Sequence, residues 1–75
     1  MKIYSPKYVV EFSEDNVFFD KLEEFDNIDD ARQFAINDIE EMCDYLAGQN
    51  YVVDFDKMTI VMGGSVVYKW CISIG

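Results

Sequence analysis

From Ile28 to Ala47 the apolar residues recur with the spacing of a helix. At about 100° per residue, Ile28, Ala31, Ala35, Ile39, Met42 and Leu46 fall on one narrow side, while Asp29, Asp30, Gln33, Asn37, Glu40, Glu41 and Asp44 collect opposite. Asn27, three residues before Asp30, forms a capping arrangement, and Asp29 and Asp30 suit the positive end of a helix. Gly48 supplies a C-cap just beyond the periodic stretch. Arg32 points into the apolar side by angle, so its stem is expected to lie along the core and its head to pair with Asp29.

Outside this segment the period is two. The first strand is expected over Lys2 to Phe12, with Tyr8, Val10 and Phe12 alternating with Lys7, Val9 and Glu11; Pro6 suits an edge or a bend better than a central position. Ser13-Glu14-Asp15-Asn16 is a polar turn, after which Val17-Phe18-Phe19 reads either as a short returning strand or as a segment tucked under the helix. After the helix, Tyr51, Val53 and Phe55 alternate with Val52, Asp54 and Asp56. Lys57 helps turn the chain into a strand over Met58–Met62, and Gly63-Gly64 suits a hairpin because glycine accepts positive φ. The last strand runs from about Ser65 to Ile74, with Val66, Tyr68, Trp70, Ile72 and Ile74 on one face and Val67 and Lys69 on the other. The pattern predicts one α+β domain over residues 1–75. It is an antiparallel sheet of about four strands with one amphipathic acidic helix packed on one face, in the order ββαβββ or βαβββ.

Composition adds a size limit and a sign. A chain of 75 residues buries only about 60% of its unfolded surface, so aromatics, 16% of the residues, and self-association into a homodimer are the available routes to a sufficient core. The net charge is −9, and it is uneven: Glu14 to Asp44 holds twelve acidic residues against Lys21 and Arg32. Nucleic-acid binding needs cations facing phosphate, and anionic membranes need the same, so neither is an expected direct partner. Two cysteines are too few for a disulfide scaffold, and Cys43 falls on the apolar side of the helix as a buried thiol. With no apolar run near 18 residues and no signal peptide, the chain reads as soluble and cytoplasmic, in a bacterial host cell.

Catalytic chemistry has few resources here. Histidine is absent, so the commonest general base and neutral metal ligand are missing and neither cysteine has an imidazole partner. Gly63-Gly64 lacks the lysine and helix that a phosphate-binding loop needs. Carboxylate pairs such as Glu23/Glu24 and Asp54/Asp56 lack the deep concavity that would raise a pKa, and no glycine-turned calcium loop is present. The expectation is a non-enzyme with no cofactor and no metal site.

That leaves the acidic helix as the functional candidate. Six carboxylates against one cation forgo the opposite-charge pairs that stabilise an ordinary solvated helix, which points to a surface made to be negative. Twenty helical residues span about 30 Å, close to one duplex turn of about 34 Å. Asp29, Asp30, Glu40, Glu41 and Asp44, extended by Glu23 and Glu24, would then stand where phosphates otherwise would, facing a basic protein surface such as a nuclease or other nucleic-acid-binding complex. Tyr45 and Phe34 project to one flank with Asp38 between them, as candidate anchors. In size, charge and lack of catalytic groups the chain is similar to small acidic proteins of phages and mobile elements, including anti-CRISPR and DNA-mimic inhibitors. No motif supports that likeness, so no functional residue is carried over from it. The alternative is an interaction module (an antitoxin, an immunity protein or a small assembly subunit) that uses an open sheet face or an edge strand.

Overall fold

A computed structural model describes residues 7–75. Its elements are β1 (Tyr8–Ser13), β2 (Asp20–Phe25), α1 (Ile28–Tyr45), β3 (Val52–Asp54), β4 (Thr59–Met62) and β5 (Ser65–Ile74). The α+β class and the ββαβββ order are as the hydrophobic pattern predicts. The sheet has five strands, all antiparallel, in the spatial order β2-β1-β5-β4-β3. The ten-residue β5 therefore forms the centre, and α1 crosses one face.

Local chemistry fixes most boundaries. The Asn27 side chain accepts from the Asp30 backbone N–H at 2.8 Å and returns a bond to the Asp30 carboxylate at 2.9 Å, so the helix begins where the cap predicts. It ends at Tyr45, two residues short of the sequence expectation, with Leu46 as C-cap and Gly48 at φ +90° in the turn beyond. Gly63 and Gly64, at φ +60° and +81°, make the two-residue turn joining Met62 to Ser65.

Three strand expectations need correcting. The described first strand, Tyr8–Ser13, runs one residue past the expected end at Phe12 and is interior, flanked by β2 and β5; Lys2 to Pro6, and with them the edge or bend expected at Pro6, lie outside the described residues. The returning strand is Asp20–Phe25 and excludes Val17-Phe18-Phe19. The Asp15 carboxylate accepts from the Val17 and Phe18 N–H groups at 2.9 and 3.0 Å, which takes those donors away from any strand ladder. Finally, β5 changes phase. Ile60 faces Tyr68 but Val61 faces Val66, so Val67 is an extra residue in a bulge. Val67 consequently packs against the core and Val66 turns to the open face, the reverse of the simple alternation.

The core has two clusters under the helix. Val10, Ala31 and Ala35 pack where the helix starts, with Phe25 and Phe34 along their rim. Ile39, Leu46, Ile60 and Trp70 fill the other end. Ile28, expected on the apolar stripe, remains 44% exposed. Arg32 is exposed and joins no ion pair among the described residues, so the expected pairing with Asp29 does not form. Cys43 is half-buried against the core, and both it and Cys71 are free thiols. No helix among the described residues is long and apolar enough to cross a membrane.

Candidate protein-docking surface

Asp29, Asp30, Glu40, Glu41 and Asp44 are all exposed along the side of α1 turned away from the sheet. The eighteen-residue helix is about 27 Å long, and the row from Asp29 to Asp44 covers about 23 Å of it, shorter than the ~30 Å expected from a twenty-residue helix. The last helical turn contains no basic residue. Among the described residues, the ion pairs are Lys7–Asp26 and Lys21–Glu24, so none of the helix carboxylates is neutralised by a neighbour.

The two glutamates expected to extend this surface separate. Glu23 stands opposite the buried Val10 and therefore lies on the helix side of the sheet. Glu24 stands opposite Val9 on the other face, where the Lys21 ammonium donates to it at 2.6 Å. That hydrogen bond, together with the lysine's charge, lowers the Glu24 carboxyl below its ordinary value. The two glutamates thus stand on opposite faces of the sheet, with only Glu23 on the side where the helix lies.

The aromatic flank also divides. Phe34 packs on Phe25 with ring centroids 5.3 Å apart and belongs to the core rim. Tyr45 is 77% exposed and walls a cleft of about 390 Å³ together with Glu14, Asp38, Glu41, Met42 and Tyr68. Asp38 is fixed there by Trp70, whose indole N–H donates to it at 2.7 Å. Tyr68 is fixed by stacking on Phe12, with centroids 5.9 Å apart and planes 15° off parallel. The sequence places Tyr45 and Asp38 on this flank but assigns Met42 to the apolar side and Glu41 to the acidic side, although the spacing Asp38, Glu41, Met42, Tyr45 is i, i+3, i+4, i+7. Glu14 and Tyr68 were not readable as part of it, because only the β1–β2 loop and β5 bring them alongside.

The opposite face of the sheet is different. Val52, Val61 and Val66 stand in register across β3, β4 and β5 on the face away from the helix. Val52 is 67% exposed and Val66 37%. Lys57 and Lys69 border the same recess, with Asp54 and Thr59. The Asp54 carboxylate is already committed, accepting from the Asp56 and Lys57 N–H groups at 3.0 Å each. No group of three or more metal-ligating side chains converges among the described residues. Compared with known proteins, the chain matches no family model, no curated protein and no solved structure.

Proposed function

We propose that the chain is a non-enzymatic acidic inhibitor, of the anti-CRISPR or DNA-mimic kind found in phages and mobile elements. It blocks a basic nucleic-acid-binding groove of a host defence complex. The observation that carries this reading is the exposed row Asp29, Asp30, Glu40, Glu41 and Asp44, which has no compensating ion pair among the described residues. Ionised carboxylates are acceptor-only, as phosphate is, and bind the same lysine and arginine side chains. Glu23 adds an exposed carboxylate on the edge strand, on the helix side of the sheet, and Tyr45 supplies an exposed aromatic anchor on the helix.

The test is partner capture from lysates of bacteria that carry defence systems, with a salt gradient for elution and nucleic acid as competitor. The reading requires a nuclease or nucleic-acid-binding complex that leaves at moderate salt and is displaced by DNA or RNA. Reversing Glu40 and Glu41 to lysine should slow association most, because long-range charge steers the encounter. Unchanged inhibition by that double variant would remove the helix face from the mechanism.

A second reading rests on the register of exposed Val52 and Val66 with half-buried Val61 between them. An interaction module of the antitoxin, immunity-protein or assembly-subunit class would use this face. Its binding would resist salt, ignore nucleic acid and fall when Val66 or Lys69 is replaced.

A further inference from the structure

We propose that the cleft between Tyr45 and Tyr68 is the socket for a single arginine side chain of the basic partner. This deepens the inhibitor reading above and rests on it. The cleft's contents select the guest by elimination. It is lined by two tyrosines and one methionine and by three carboxylates, Glu14, Asp38 and Glu41. None of these carboxylates has a cation paired with it among the described residues, so an incoming positive charge meets no competitor.

A bare metal ion fits poorly, since the three carboxylates lining this cleft of about 390 Å³ do not converge as a ligand group. A purely apolar guest would bury acidic side chains without partners, which costs free energy. A guanidinium suits both parts of the wall. Its flat face stacks on tyrosine, and its edge donates to a carboxylate in a two-point fork. Lysine offers a compact, strongly hydrated charge with no plane to stack.

Two features prepare the socket before any guest arrives. Asp38 is anchored through one oxygen by the Trp70 indole at 2.7 Å, and its other oxygen takes no hydrogen bond among the described residues. Tyr68 is held by its stack on Phe12 and by Trp70, at a centroid separation of 6.5 Å. A pre-set wall spares the ordering cost that flexible side chains would incur on binding. Tyr45, exposed at the mouth, is then the part that loses water when the socket fills.

The experiment is an NMR titration of the isolated, isotope-labelled chain with acetyl-arginine amide. The corresponding lysine and citrulline amides serve as controls. The proposal expects saturable shifts at Tyr45, Tyr68, Met42 and Glu41, stronger with arginine than with lysine and absent with neutral citrulline. Tyr45→Ala should weaken arginine binding by about threefold to tenfold, and Glu41→Gln should weaken it in the same direction. Asp20→Asn, on the β2 edge, should leave it unchanged. The spectra themselves report whether each variant is folded. No response, an equal response to citrulline, or shifts spread evenly along the helix would overturn the socket. Because no partner protein is present, those results leave the broader reading to the Glu40/Glu41 reversal.

Discussion

Asp38 is worth more to the fold than its position on a helix flank implies. Its carboxylate receives the only polar atom of the buried Trp70 side chain, across 32 positions of sequence. Replacing Asp38 with alanine should cost about 1–3 kcal/mol in urea denaturation, because the indole N–H then lacks its charged acceptor. Asparagine keeps an acceptor and should cost less. The sequence shows Asp38 between two aromatic residues but gives no hint of the tryptophan, since the contact depends on how the helix is rotated over β5. Asp15 is a second carboxylate with a structural task. Backbone N–H groups of Phe18 and Val17 hold its carboxyl below the ordinary value of 3.8. Its stabilising contribution is therefore complete above that unfolded value and is lost as pH falls through the lowered folded value. The gap in melting temperature between the wild type and Asp15→Asn should be constant near neutrality and close in acid. A gap that persists at low pH would mean that Asp15 acts through something other than its charge.

The helix was legible because periodicity, cap and first-turn aspartates all agree. The β1–β2 region was not, and the reason lies in which residues look like a strand. Val17-Phe18-Phe19 has the composition of one, yet its N–H groups go to Asp15. The true strand, Asp20–Phe25, is mostly charged and exposed because it lies at the sheet edge, where no alternation is demanded. Charge on an edge strand also discourages pairing with other chains. The bulge at Val67 hid the phase of β5 in the same way, since one inserted residue inverts the side assignment beyond it. This makes two adjacent valines unequal. Val67→Thr should destabilise by about 1–3 kcal/mol, as a hydroxyl enters the core edge. Val66→Thr should stay within about 0.5 kcal/mol. Equal losses in thermal unfolding would mean that the phase change is absent. Of the docking surface, the helical row was readable in full, while the separation of Glu23 from Glu24 required the strand register.

For the molecule as a whole, a net charge of −9 with two ion pairs among the described residues leaves substantial self-repulsion. Raising ionic strength from about 0.01 M to about 0.15 M shortens the screening length from about 30 Å to about 8 Å. The melting temperature should rise with it, by about 4–8 °C for each kcal/mol relieved. A flat response in calorimetry would show that the carboxylates already sit too far apart to repel. Strand order has a further consequence, one of timing. The strand at the middle of the sheet is the last of the five to be made. Until it emerges, β1 with β2 and β4 with β3 are separate ribbons that share no edge, and the helix has no complete floor to lie on. Closing β1 onto β5 joins Tyr8 to Ile74, a long loop closure of the kind that slows folding. During synthesis, then, the acidic helix segment is made before the central strand that joins the two ribbons into one sheet beneath it.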